Sequence, residues 1–349
     1  MRIDKKPTPI LSSGFTLLEV IFVIVILGIV ASIGSTIVAQ LYENYIVQRA
    51  MHRVSQKTEL AANQIANRLG YVITPSVIVR DGTNPNNFIA LEDIPDGTSN
   101  TTPQVLEWIG YDNDSFGSRQ VPGWSGYCDV TGTLNTIAAG NRRRILTPGS
   151  RLGYANRVIR NLSNFGGGAP NGKTIANTAM LFSVAGMHSN AQAQNAGCFG
   201  YKGIYTPTGL AGNNTCIHTI RNTIDQTTLR LDNPIPAGAR IRISPLYKFA
   251  WTAYAIVPVN IRPGRATTGN SALFDLELRY NFQPWDGTFY DDVNTQRAIL
   301  IRNVTSFKYS QLGGTIRFKL CATEQVGGNQ TDDINATNIS VCKEKVVIR

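Results

Sequence analysis

The sequence predicts an α+β fold: one long N-terminal helix, then an antiparallel β-rich head carrying a loop-rich insertion. Three observations predict it. Residues 20–42 are 23 consecutive uncharged residues. Behind them, apolar residues keep a helical spacing as far as Leu69, and no proline occurs between Phe15 and Ile73. From residue 70 onward the apolar runs shorten to strand length, punctuated by Gly, Asn, Asp and Pro. A helix followed by several antiparallel strands is an α+β arrangement. The 349 residues are 42% hydrophobic and 16% charged, too apolar for a disordered chain and long enough for a full core. The three histidines, His52, His188 and His218, lie far apart, which disfavours a His-based metal site.

The apolar run comes first. Its 23 residues make roughly 34 Å of helix, enough to cross a bilayer core. Arg2, Lys5 and Lys6 outweigh Asp4 ahead of it, which predicts a cytoplasmic N-terminus. A secretory signal peptide has a shorter apolar core, although Val38-Ala39 offers a loose cleavage site. A plain membrane anchor explains the length and leaves Glu19 unexplained. A carboxylate inside a spanning helix costs about 2.5–3.5 kcal/mol on insertion scales, so it usually has a partner. This run contains no Lys, Arg or His to serve as one.

A third reading supplies the partner. Gly14-Phe15-Thr16-Leu17-Leu18-Glu19-Val20 resembles the processing site of type IV pilins and type II secretion pseudopilins. The resemblance implies that a prepilin peptidase cuts after Gly14 and N-methylates Phe15. Glu19 is then the fifth residue of the mature chain, as the family pattern requires. Its implied partner is the α-amino group of Phe15 in a neighbouring subunit. In an apolar filament core such a pair fixes register, because either charge alone is costly there. The domains implied are a leader at 1–14, a transmembrane and amphipathic stalk at 15–69 and an extracytoplasmic head at 70–349. The implied role is structural, without catalysis or cofactor. The implied partners are other pilin or pseudopilin subunits, the prepilin peptidase and the inner membrane, and finally a pilus or pseudopilus. One departure points to a minor subunit. Many major pilins carry a proline in the buried half of this helix, whereas here Gly28 and Gly34 are its only weak points.

The stalk continues beyond the membrane. Val38, Tyr42, Tyr45, Met51, Val54, Ala61, Ile65 and Leu69 recur near a 3.6 period, with Arg49, Arg53, Lys57, Glu59 and Arg68 between them. Gly70 and Pro75 supply the stop. A helix over 15–69 is about 83 Å long. In the head, strands are expected at 72–79, 105–109, 228–231, 247–259, 273–280, 298–301, 304–309 and 315–320, with a hairpin turn at Gly313-Gly314. The closing stretch, from Leu300-Ile301-Arg302-Asn303-Val304-Thr305-Ser306-Phe307 to Cys342-Lys343-Glu344-Lys345, resembles the end of a J- or W-type minor pseudopilin.

An extracytoplasmic head keeps disulfides. Cys198 and Cys216 enclose 17 residues, and Cys321 and Cys342 enclose 20. Four cysteines allow three connectivities, and pairing of sequence neighbours is the expectation. Each such loop contributes about 3 kcal/mol in the chain-entropy model. Cys128 is left over and reads as a buried thiol.

The formal net charge is +10, and most of it lies in one place. Residues 130–224 hold no Asp or Glu but carry Arg142, Arg143, Arg144, Arg151, Arg157, Arg160, Lys173, Lys202 and Arg221. This Gly- and Asn-rich segment reads as an insertion, mostly loops. Two roles are open for it. Arg142 to Arg160 bind DNA phosphates or an acidic surface, with Tyr154, Phe165, Tyr201 and Tyr205 available to stack on bases. Otherwise the charges are a solvated surface or face an acidic partner subunit.

Two motifs are treated as coincidental. Residues 167–174, GGAPNGKT, match the phosphate-loop pattern, but a poor strand precedes them and no carboxylate follows within 50 residues. Asp275, Asp286, Asp291 and Asp292 flank an aromatic loop without the spacing of a calcium loop.

Overall fold

A computed structural model describes residues 14, 16–82, 84–94, 104–117, 121–129, 143–164, 172–182, 196–206, 208–233, 244–262, 273–326 and 337–348. Helix α1 (Leu17–Leu69) is continuous over 53 residues, about 80 Å. It forms because nothing in it breaks helix: it lacks proline, and Gly28 and Gly34 are its only glycines. Thr16 opens it, its hydroxyl accepting from the Glu19 N–H at 3.3 Å. Gly70 closes it, its N–H donating to Ala66 O at 2.8 Å. A Cβ at Gly70 would meet the Asn67 carbonyl at 2.8 Å, so the exit suits glycine.

The chain divides into two compact units, residues 1–53 with 325–339 and residues 54–324 with 340–349. In the first, the apolar side chains of α1 stand exposed from Leu17 to Tyr45. In the second, the end of α1 lies on a sheet. Val54, Thr58, Ala61, Ala62, Ile65 and Leu69 are buried there, a stripe at i, i+4, i+7 and i+8 spacing. Met51, at an expected core position, is 55% exposed, so burial of the periodic face is continuous only from Val54.

The strands are β1 (Ile78–Arg80), β2 (Asn87–Ala90), β3 (Val105–Gly110), β4 (Arg144–Leu146), β5 (Ala179–Phe182), β6 (Ile204–Tyr205), β7 (Leu210–Ala211), β8 (His218–Thr223), β9 (Thr228–Leu231), β10 (Tyr247–Ala250), β11 (Thr252–Arg262), β12 (Leu273–Phe282), β13 (Gln296–Leu312), β14 (Thr315–Val326) and β15 (Thr337–Ile348). A large sheet has the order β15-β14-β13-β12-β11-β3-β1-β2-β6-β7, and a small one β10-β5-β8-β9-β4. Helix α2 (Asn113–Phe116) follows β3, and α3 (Leu152–Ser163) follows β4.

The end of α1 is tied to the large sheet at both ends of its contact. Lys57 pairs with Glu324 at 3.2 Å, and Glu59 receives Lys343 and Lys345. Farther along, the Arg68 guanidinium lies over the rings of Tyr254 and Tyr280. The opposite face of the large sheet gives Ile109, Ala253, Ala255 and Val257 to a core completed by Ala179, Leu181 and Ala250 of the small sheet. The other face of the small sheet gives Met180, Phe249, Ile220, Leu229, Leu231 and Ile145 to a second core, which Leu152 and Ala155 of α3 cover.

Several expectations change. Residues 72–79 were expected as one strand, but Thr74–Ser76 is a 3-10 turn around Pro75, which lacks an N–H for a ladder. The run 247–259 divides at Trp251 into strands of different sheets. Runs 298–301 and 304–309 fuse into β13, and a bulge near Thr305 absorbs the irregularity. Gly313 takes φ +56°, as the two-residue turn between Leu312 and Thr315 requires. The segment 130–224, expected to be mostly loops, also holds regular elements among its described residues. It supplies β4, β5, β8 and α3, most of the small sheet and its cover. These strands have three to six residues, too short to show alternation, and α3 has only three apolar anchors, Leu152, Ala155 and Ile159.

Candidate functional site

The N-terminal segment offers one carboxylate in a field of apolar side chains. Leu17 is 79% exposed, and Ile24, Leu27 and Leu41 are each exposed by more than 60%. An apolar helix with no apolar stripe but apolar residues all round belongs in lipid or among other helices. α1 is long and apolar enough to cross a membrane, and the apolar stretch is unburied by its own chain. Glu19 is exposed within the first turn, where the helix dipole favours a negative charge. Gly14 has open space around it. Phe15 lies outside the described residues, as does the remainder of the expected leader.

Thr16 is a further contributor. Thr16-Leu17-Leu18-Glu19 is the spacing of a capping box, and the Thr16 half of it is formed. That spacing was visible in the sequence. It gives Thr16 a local role in starting the helix, beside the assembly role expected of Glu19.

The structure separates the basic residues. Arg142 lies outside the described residues. Arg143 leads into β4, where its carbonyl accepts from Leu231 N–H at 2.7 Å. Arg144 is exposed on β4, on the face opposite Ile145. Arg151 precedes α3, and Arg157 and Arg160 are exposed on that helix. Arg157 stacks on the Tyr154 ring at 5.8 Å. Ile145 and α3 share one core, so Arg144 and the α3 arginines project from opposite sides of the small sheet. Segment 142–160 is therefore not one surface. Of the proposed stacking residues, Tyr201 and Tyr205 are buried and Phe165 lies outside the described residues. The Tyr201 hydroxyl donates to Ser76 O at 2.6 Å.

Cys198 is bonded to Cys216 and Cys321 to Cys342. The first bond sits in the core between the sheets, and the second ties edge strand β15 to β14. Cys128 is a buried free thiol, and burial first, then Asp129, pushes it up to about 12. A thiol so high is inert at neutral pH.

The lookalike motifs have other occupations. Thr174 turns its hydroxyl to Asn177 at 3.2 Å and opens a single 3-10 turn that leads into β5, where a phosphate loop needs a long helix. Burial lowers the Lys173 ammonium, with Asp286 opposing. Asp275 accepts from Asn260, Arg262 and the Asn303 N–H. Asp291 pairs with Arg279 and Arg297, and Asp292 accepts from Phe289 N–H. Among the described residues no group of three His, Cys, Asp or Glu is placed to hold a metal.

The head also buries a charge pair that the sequence does not announce. Arg80 Nε donates to Glu107 Oε2 at 2.5 Å, both side chains fully enclosed. Arg80 Nη1 donates to the carbonyls of Pro85 and Lys202, and Phe88 and Phe289 lie against the guanidinium. Burial raises the Glu107 carboxyl, and Arg80 opposes that rise. The pair locks β1, β3 and the 202–203 turn together, a structural task.

The profile of the prokaryotic N-terminal methylation motif matches residues 11–35. No curated protein and no solved structure matches the chain. The match covers Gly14, Glu19 and most of the unburied apolar helix. A subunit with this segment is processed by prepilin peptidase, anchored in a membrane and assembled with others of its kind. The motif and the helix that carries it are those of the type IV pilin and pseudopilin class, and with the β-rich head they support a structural subunit of that kind.

Proposed function

We propose that the chain is a minor pilin or J/W-type pseudopilin of a type IV pilus or type II secretion filament. It is inserted in the inner membrane with its N-terminus cytoplasmic and its head periplasmic. Prepilin peptidase cuts after Gly14 and methylates Phe15, and the α1 helix then passes into the filament. There Glu19 pairs with the Phe15 amino group of a neighbour and fixes register. The action is mechanical: priming, extending or capping a filament whose energy comes from a separate motor. The observation that carries this is the unburied apolar half of α1 with Glu19 at its head. That surface needs other helices or lipid to cover it.

The alternative, a tip module gripping DNA or an acidic surface through 142–160, has less support, because those arginines do not share a face. The test is the secreted proteome of a strain lacking the gene. Accumulation of exported proteins in the periplasm identifies a secretion pseudopilin. Unchanged secretion together with loss of surface pili identifies a pilus subunit. Unchanged secretion and unchanged pili contradict both.

A further inference from the structure

The face of the small sheet opposite α3 carries exposed arginines where β9 and β4 meet. In the β4–β9 ladder Arg144 stands directly across from Arg230, and both are exposed. Directly opposed residues have Cβ atoms about 4.5–5.5 Å apart, and like charges there are destabilising. On the other flank of Arg230 its ladder partner is Asn222, also exposed. Arg221, exposed too, occupies the β8 bulge between Ile220 and Asn222. Among the described residues none of Arg144, Arg221 and Arg230 forms an ion pair. The segment from 130 to 224 holds no carboxylate, Asp129 lies beside Leu146 of β4, and Asp232, two residues beyond Arg230, forms no ion pair among the described residues. Asp225, in the turn that follows, accepts from the N–H and hydroxyl of Thr227.

We propose that the Arg144–Arg230 face, with Arg221 in the adjoining bulge, is a docking site for a carboxylate patch on the head of a neighbouring filament subunit. The proposal rests on the reading of the chain as an assembly subunit. Three arginines on adjacent strands, with an amide beside them, make a compact donor cluster. Guanidinium forks pair bidentately with carboxylates, and a rigid ladder presents them ready spaced. A nucleic acid is disfavoured by the same geometry. Nucleic-acid affinity is built from several phosphate contacts acting together, and here the remaining arginines lie across the sheet on α3. An opposed like-charge pair held at a cost in the free subunit is relieved when an acidic partner arrives.

The test uses the full chain in detergent micelles and two probes, a fluorescent oligoglutamate peptide and a single-stranded oligonucleotide of equal charge. Fluorescence anisotropy at low ionic strength reads binding. The account expects saturable peptide binding, weakened about tenfold by the double variant Arg144→Gln/Arg230→Gln and unchanged by Arg157→Gln/Arg160→Gln. It also expects Arg144→Gln alone to raise the melting temperature of the free protein by about 1–2 °C, because it removes the opposed charge. Equal loss from both double variants overturns the proposal, as does no loss from the first or tighter binding of the oligonucleotide. Because the titration needs no filament, its failure leaves the Glu19-dependent assembly reading standing. Failure of that reading shows instead as normal incorporation of Glu19→Ala.

Discussion

The two halves of α1 share a backbone and differ in what covers them. From Leu17 to Leu41 its apolar residues are exposed by roughly half to four-fifths of their surface. From Val54 to Leu69 the apolar residues of one stripe are exposed by no more than 2%. The first half is apolar all round and unburied among the described residues, which suits lipid or other helices as its cover. The second half is apolar on one stripe, and the large sheet is its cover. The difference teaches where to look for each kind of effect. Changes in the first half alter where the protein goes and what it joins. Changes in the head alter whether it folds.

The largest effect expected is Glu19→Ala. Filament incorporation, read by shearing and immunoblot, should be lost while processing and the melting temperature of the head are unchanged. Normal incorporation breaks the comparison, because the first half would then need no specific partner. Next is Glu107→Gln, which leaves Arg80 charged and enclosed. A loss of about 3–5 kcal/mol is expected in chemical unfolding, with N-terminal processing intact. Cys321→Ala/Cys342→Ala releases β15 from β14 and should cost about 3 kcal/mol, read as a lowered denaturation midpoint. No change would mean that the ion pairs of Glu59 with Lys343 and Lys345 suffice to hold the edge.

A smaller effect depends on pH. Burial pushes the Asp112 carboxyl up to about 6, against hydrogen bonds from Ser115 that oppose it. A raised carboxyl stabilises the fold fully below its unfolded value near 3.8 and loses that contribution as pH rises through about 6. The contribution is about 3 kcal/mol at most. Asp112→Asn should therefore gain stability relative to wild type between pH 4 and pH 6. His218 acts in the opposite sense. Burial pushes it down to about 4, so its contribution is present above 6.5 and is lost as pH falls through about 4. Parallel stability curves for Asp112→Asn and wild type would show that Asp112 keeps its charge in the fold.

Where the sequence speaks plainly, one local rule is enough. The uncharged run, the absence of proline up to Ile73 and the capping Gly70 make α1 legible. Gly313-Gly314 marks a hairpin that is present, and the run 228–231 is β9. What was not legible depends on distant partners. Nothing local to Trp251 says that the strands on either side of it join different sheets. Arg80 and Glu107 meet only because β1 pairs with β3. Arg144 belongs with Arg230 rather than with its sequence neighbours Arg151 and Arg157, because strand pairing and not proximity in the chain assigns the face. The basic segment was conspicuous by composition, yet its composition held no information about sides of a sheet.

The central claim is that residues 11–35 are a processed assembly segment. Intact-mass and N-terminal fragment spectra of the chain, produced in cells with and without a prepilin peptidase, test it most directly. The account predicts a mature protein that begins with N-methylated Phe15 when the peptidase is present and an intact Met1 start when it is absent. A chain that keeps residues 1–14 in both, or that is cut near Val38-Ala39 in both, contradicts it.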